Sequence, residues 1–174
     1  MSKRIISQHI ITVFSDGSIL TKEYKPKVVN FDCPDSILQI VAVIKKAIID
    51  ITDTMEITDF STEEDKLVPD FVTHRCVTAS INEVSRDFGV TSATVHTKIT
   101  RYLGMEMDEF KRLVAKYYEH LIMGKEGIPE IILVLEKIAK EKCRNEKSRT
   151  ESIACIRNMH EEILDTGHRP MDIE

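Results

Sequence analysis

The segment Ser80–Leu103 constrains the fold most, because two amphipathic helical patterns in it are separated by a single glycine. Small or apolar residues recur in the first pattern at helical spacing: Ile81, Val84, Ser85 and Phe88. That spacing places them on one face of a helix. Gly89 follows at once, and glycine often ends helices because it accepts a left-handed backbone. The segment therefore predicts a helix, a glycine turn and a second helix.

Two further patterns predict where these helices begin. Ser80 and Glu83 have the spacing of a capping box, in which each side chain satisfies a backbone N–H at a helix start. Thr91 is a suitable N-cap for the second helix. In that helix Val95, Ile99 and either Tyr102 or Leu103 share one face, which predicts that this face is buried.

The segment resembles the helix-turn-helix of bacterial transcription regulators, and in particular its Fis-like variant. That variant carries a Thr-Leu-x-x-Lys-Leu core in its second helix, and residues 94–99 read Thr-Val-His-Thr-Lys-Ile. Repressor-type motifs place an apolar residue where Lys98 lies and a small alanine where Ser85 lies. The Fis-like form accommodates Lys98 because Ile99 supplies the buried contact. The resemblance covers about 25 of the 174 residues, so it concerns one module.

The resemblance implies that the helix of residues 91–103 enters the major groove of double-stranded DNA. Its outward residues are then the expected base contacts: Ser92, Ala93, His96, Thr97 and Thr100. The expected phosphate contacts are Thr91, Lys98 and Arg101, and such contacts give affinity and register without sequence information. Asparagine and glutamine are missing from these positions, so specificity is expected to use DNA shape or a second subunit.

The charge distribution predicts modest DNA affinity for one subunit. The chain has 24 Lys and Arg residues against 29 Asp and Glu residues, whereas a basic domain is typical of nucleic-acid binding. Residues 91–103 contain two basic residues and no acidic one, and residues 31–73 contain three lysines against ten acids. Tight binding is therefore expected to need a homodimer. The alternative hypothesis is a protein–protein adaptor that uses the helix-turn-helix as a scaffold.

The N-terminal region predicts a β-hairpin followed by a helix. Residues 5–14 and 18–25 are the expected strands, and Asp16-Gly17 suggests a turn in which both residues have positive φ. Residues 28–31 are a candidate third strand. In the helix expected from about Asp35 to Thr52, one apolar seam follows heptad-like spacing: Ile37, Val41, Ile44, Ile48 and Ile51. A second stripe is Ile40, Val43 and Ala47. Packing under the hairpin and a dimer contact are both considered for this helix.

The remaining patterns complete a prediction of a mainly α fold with a small N-terminal β-hairpin, a helix-turn-helix module and a helical C-terminal hairpin. Residues 53–70 suggest a linker, and residues 71–78 suit either a short strand or the leading helix of the module. Asp108 is expected to cap the next helix, which Gly124 ends, and Pro129 suits the first turn of another. A last helix is expected over residues 148–165. The predicted domains are residues 1–60, 71–125 and 126–174, the last suited to dimerisation or to a protein partner.

Other function classes find little support in the sequence. Phosphate-binding glycine loops and the common hydrolase motifs are missing, so no enzymatic activity, cofactor or metal is expected. The sequence contains no run of 18 apolar residues, so no membrane span is expected. Four scattered cysteines without a Cys-x-x-Cys pair suggest reduced thiols in a cytoplasmic protein of bacterial or phage type.

Overall fold

A computed structural model describes residues 8–24, 33–56 and 68–165, and over these residues the protein is mostly helical with one two-stranded sheet. This confirms the predicted fold class. The strands are β1 (Gln8–Val13) and β2 (Ile19–Tyr24). The helices are α1 (Cys33–Glu56), α2 (Asp70–Asp87), α3 (Ser92–Thr97), α4 (Met107–Ile122), α5 (Glu130–Lys142) and α6 (Glu146–Asp165). α3 continues without a break into a π-helical segment, Lys98–Tyr102.

The hairpin forms as predicted, but its turn is of another type. β1 and β2 are antiparallel, and Val13 pairs with Ile19 next to the turn. Gly17 has a φ of +82°, and no described residue other than glycine has positive φ, so Asp16 does not. Instead, Asp16 Oδ1 accepts hydrogen bonds from the backbone N–H and the hydroxyl of Ser18, at 2.9 and 2.6 Å. The predicted two-residue turn is therefore replaced by a longer loop with glycine at its left-handed position. The candidate strand at residues 28–31 lies outside the described residues.

α1 is the central helix of the second unit. The hairpin belongs to a compact unit of residues 1–30, and the helices belong to another of residues 31–174. α1 packs against α2, α4, α5 and α6. Every residue of its two predicted stripes is buried, most of them completely. These stripes are core in this chain, so the hypothesis of a dimer contact through them is wrong. α1 also belongs with the helices that follow it, which the proposed boundary near residue 60 did not anticipate.

α2 begins ten residues before the predicted capping box. Its N-cap is Pro69, and the ambiguous residues 71–78 are helical. Ser80 lies inside the helix with no exposed surface. Its hydroxyl donates to the Cys76 carbonyl at 2.7 Å and lies 3.4 Å from Asp50 Oδ2 in α1. The capping-box prediction is therefore wrong, because a buried serine in α2 meets its hydrogen-bonding needs within its own helix and from α1.

The C-terminal helices largely follow the prediction. Gly124, with a φ of +57°, follows the end of α4. Pro129 is the N-cap of α5, whereas the sequence predicted it in the first turn of that helix. Asp108 lies in the first turn of α4 and not at its N-cap, which is Glu106. α5 and α6 pack against each other, and α6 also packs on α1, where Lys45 pairs with Glu162. The helical pair is thus part of the body formed around α1.

A polar contact joins α4 to α6 inside this body. The Tyr117 hydroxyl lies 2.7 Å from His160 Nδ1. Burial lowers the pKa of His160 and raises that of Tyr117, which favours the neutral form of both groups. Cys76 and Cys155 are free thiols, whereas Cys143 is disulfide-bonded, so the expectation of reduced thiols fails at Cys143.

Candidate nucleic-acid interface

The turn between α2 and α3 is a Schellman-type helix end built on the predicted glycine. Gly89 has a φ of +63°, which glycine adopts without steric penalty. Its N–H donates to the Arg86 carbonyl at 3.2 Å, and the Val90 N–H donates to the Ser85 carbonyl at 2.9 Å. These bonds satisfy carbonyls that a helix end leaves unpaired. The chain therefore leaves α2 along a defined path, which fixes where α3 begins.

α3 begins at the predicted N-cap. Thr91 Oγ1 accepts a hydrogen bond from the Thr94 N–H at 3.1 Å and lies 2.9 Å from Thr94 Oγ1. The cap satisfies one of the N–H groups that have no partner within the helix. The Thr91 hydroxyl, which was also expected to contact a DNA phosphate, is thus already engaged in the free protein.

Replacement of Thr91 by alanine is expected to lower the free energy of unfolding by about 1 kcal/mol, because the cap is lost. Thr78→Ala is the matched control, since Thr78 is an exposed threonine within α2 whose hydroxyl donates to the His74 carbonyl. Alanine has the higher helix propensity, so the control should be neutral or slightly stabilising. Urea unfolding followed by circular dichroism measures both. A loss no larger than that of Thr78→Ala would exclude the capping role.

The buried face of the second helix agrees with the prediction. Val95 and Ile99 have no exposed surface, and Tyr102 and Leu103 are only 1% and 6% exposed. The sequence predicted either Tyr102 or Leu103 at this position. Both are buried, because positions seven and eight after Val95 fall within the width of one apolar helical face. The helix is π-helical over Lys98–Tyr102.

The five predicted base-contacting residues divide into two groups. Ala93 and His96 are exposed, whereas Ser92, Thr97 and Thr100 are half-buried. The Ser92 hydroxyl donates to Asn82 Oδ1 at 2.8 Å, and the Thr100 hydroxyl donates to the His96 carbonyl at 3.1 Å. A hydroxyl carries one hydrogen, so Ser92 and Thr100 keep only acceptor capacity for a DNA base in this arrangement.

The two predicted basic phosphate contacts lie in the π-helical segment. Arg101 is exposed and Lys98 is half-buried. A third cation lies beside them, since Lys142 Nζ at the end of α5 donates to the Arg101 carbonyl at 3.0 Å and lies 5.4 Å from the centre of the Tyr102 ring. Positive charge is favourable at a helix C-terminus. Sequence reasoning missed Lys142 because it is 41 residues from Arg101.

Two ion pairs tie the end of α2 to α1. Lys46 Nζ lies 3.1 Å from Asp87 Oδ2 and 3.3 Å from Glu83 Oε2. The hydrogen bond to Asp87, with a smaller contribution from Glu83, raises the pKa of Lys46. Burial raises the pKa of nearby Asp50, and the negative charge of Glu83 adds to the effect. Glu83, which was predicted to cap its own helix, instead helps to hold the helix that precedes the glycine turn.

The two basic residues Lys111 and Arg112, in α4, lie among acidic side chains. They line an open cavity of about 480 Å³ with the first residues of α2. Both charge signs line this cavity: Asp70, His74, Asp108, Lys111, Arg112, Lys116 and Glu119. Lys116 also pairs with Glu130 at 3.3 Å. The cavity is therefore electrostatically mixed, unlike residues 91–103, which contain no acid.

No protein-family model, curated protein or solved structure matches the chain. Within residues 8–24, 33–56 and 68–165, no group of three or more histidine, cysteine or acidic side chains is placed to hold a metal ion. Within the same ranges no helix is long and apolar enough to cross a membrane. The function proposed for this surface therefore depends on its geometry and charge.

Proposed function

We propose that this protein is a DNA-binding transcriptional regulator of bacterial or phage type, which reads the major groove with the helix of residues 91–103, here called the recognition helix. One observation carries the proposal. The helix buries Val95 and Ile99 completely, while Ala93, His96 and Arg101 on its other side are exposed. A helix attached to a rigid body by one face, with small or basic residues on the other, suits insertion into the groove.

The exposed side chains suggest how bases and phosphates are contacted. Ala93 suits contact with a thymine methyl group, and His96 suits a hydrogen bond to a purine edge. Lys98 and Arg101 supply charge to the phosphates. Because Ser92 and Thr100 use their hydroxyl hydrogens within the protein, we propose that they accept hydrogen bonds from base amino groups, as in adenine or cytosine.

We further propose that the active form is a cytoplasmic homodimer. Residues 91–103 contribute two basic side chains, and each neutralised phosphate adds only a small share of the affinity. Two copies related by two-fold symmetry would double these contacts and match a palindromic site. Analytical ultracentrifugation of the protein with and without duplex DNA measures this stoichiometry.

The direct test is binding of the full-length protein to fluorescently labelled, random-sequence duplex DNA at about 50 and about 200 mM salt, since phosphate contacts make affinity salt-dependent. We expect binding that weakens as salt rises, followed by enrichment of a preferred site in repeated selection from a random pool. A folded protein that binds no duplex at the lower salt concentration would contradict the proposal.

A protein–protein adaptor is the second candidate function, and one observation favours it. Two large apolar side chains between residues 126 and 174 are at least half exposed, namely Ile128 and Leu133 at 56% and 50%. Exposed apolar side chains concentrated in one segment are typical of protein contacts. This function would use residues 126–174 and retain the helix-turn-helix as a scaffold. The adaptor function becomes the favoured one if the protein is folded and binds no duplex DNA.

A further inference from the structure

We propose that Asn82 and Arg86, at the end of α2, form a second phosphate contact that extends the DNA surface of the recognition helix. We call this pair the α2 clamp. The inference rests on the proposed function, and its ligand is the phosphate group of the DNA backbone. Neither residue belongs to the contacts expected from the sequence, which were confined to residues 91–101.

The oxygen atoms of Asn82 accept hydrogen bonds within the protein, whereas its side-chain N–H₂ group stays available to a ligand. Its carbonyl accepts from the Ser85 hydroxyl at 2.7 Å and from Arg86 Nε at 3.4 Å. Its side-chain oxygen Oδ1 accepts from the Ser92 hydroxyl at 2.8 Å. Among the residues that the structure describes, nothing accepts a hydrogen bond from Nδ2, and Asn82 is exposed. A free amide N–H₂ group suits an acceptor such as a phosphate oxygen.

The same hydrogen bonds decide between a phosphate and a base as the ligand of Asn82. Bidentate recognition of adenine needs both the oxygen and the nitrogen of an asparagine amide. Asn82 Oδ1 is already engaged by Ser92, so only the nitrogen remains. Phosphate oxygens accept hydrogen bonds and donate none, and therefore match an amide that offers donors alone.

Arg86 supplies the positive charge of the clamp. Its Nε donates to the Asn82 carbonyl, which holds the guanidinium beside Asn82 and leaves both terminal nitrogens available. Arg86 is exposed and forms no ion pair within the described part of the chain. The neighbouring acid, Asp87, is already paired with Lys46. A guanidinium fork matches the geometry of a phosphate group.

The position of the clamp links it to the recognition helix. Ser92 is the first residue of α3, and its hydroxyl bond to Asn82 places the clamp beside the start of that helix. Ala93, the next residue, is exposed. A phosphate held by Asn82 and Arg86 would therefore flank the bases that face Ala93, and would fix the depth and register of the helix in the groove.

The test compares salt dependence of duplex binding for the wild-type protein and for variants of the clamp. Affinity falls as salt rises, so the slope of log affinity against log salt is negative. Loss of one charged phosphate contact makes this slope less steep by about 0.9. For Arg86→Ala, the ratio of wild-type to variant affinity should therefore change by about 3.5-fold between about 50 and about 200 mM salt. Arg86→Lys keeps the charge and should restore the wild-type slope. A purely structural role of Arg86 would not produce this pattern.

Asn82→Asp provides a second, nearly isosteric test. The new carboxylate still accepts the Ser92 hydrogen bond but presents negative charge to the phosphates, so affinity should fall by at least about tenfold. Lys125→Ala is the matched control, because Lys125 is an exposed cation beyond the opposite end of α4 from the recognition helix. It should leave the slope unchanged, and circular dichroism should show all variants folded.

The outcomes separate this inference from the proposed function. Salt-sensitive binding by the wild-type protein, together with an unchanged slope in Arg86→Ala and unchanged affinity in Asn82→Asp, would overturn the α2 clamp and leave the recognition helix in place. Absence of binding by the wild-type protein would overturn the proposed function itself.

Discussion

The Lys98→Ala/Arg101→Ala double variant is expected to bind duplex DNA of every sequence more weakly than the wild-type protein, with a flatter salt dependence. Neither side chain forms an ion pair within the described residues, so both charges are available to phosphates. Loss of two such contacts makes the slope of log affinity against log salt less steep by about 1.8. The ratio of wild-type to variant affinity should therefore change by about 12-fold between about 50 and about 200 mM salt. Fluorescence anisotropy with a labelled random duplex measures this directly.

A matched control must remove the same charge from another surface. Lys111→Ala/Arg112→Ala does so in the mixed-charge cavity between α2 and α4, and it should leave the slope close to that of the wild-type protein. Because Lys98 is half-buried, Lys98→Gln/Arg101→Gln keeps most of each aliphatic chain and guards against lost packing. Equal loss of slope in the two alanine double variants would show a general effect of net charge and would contradict a phosphate-contacting role specific to the recognition helix.

The features that the sequence predicted well depend on residues close together in the chain. Gly89 ends α2 and Thr91 caps α3 through bonds that span only a few residues. Val95 and Ile99 are buried because helical spacing places them on one face. Such local rules hold here because tertiary packing adds to them and does not oppose them.

The start of α2 shows a local rule that fails. Ser80 and Glu83 match a capping box in sequence, yet Ser80 is buried in the middle of a helix and Glu83 pairs with Lys46. Both residues are therefore placed by contacts with α1. A better signal was present, because Pro69 precedes Asp70, and proline followed by an acidic residue is typical of a helix start. The same kind of signal correctly located α5 at Pro129.

Some residues join the candidate site through contacts between distant parts of the chain, which the spacing of apolar residues does not predict. Lys142 reaches the Arg101 carbonyl across 41 residues, and Asn82 reaches Ser92 across the glycine turn. Hydrophobic spacing predicts which side of a helix is buried but not which helix covers it. The exposure of Ala93 and His96 followed from their spacing. The hydrogen bonds that the hydroxyls of Ser92 and Thr100 donate could be seen only in the structure.

Ile44→Ala is expected to cause a large loss of stability, about 2–5 kcal/mol in the free energy of unfolding. Ile44 has no exposed surface, and α1 is packed against α2, α4, α5 and α6. With helices packed around α1, the surroundings have little freedom to collapse into the space left by the missing carbons, so the variant loses both apolar burial and packing contacts. Urea unfolding followed by circular dichroism measures the change.

Leu38→Ala is the matched control because it removes the same number of carbon atoms from the same helix at a position that is 44% exposed. Its loss should be below about 1 kcal/mol, since less apolar surface is removed from the interior. An Ile44→Ala loss no larger than that of Leu38→Ala would contradict the role of Ile44 in the core around α1.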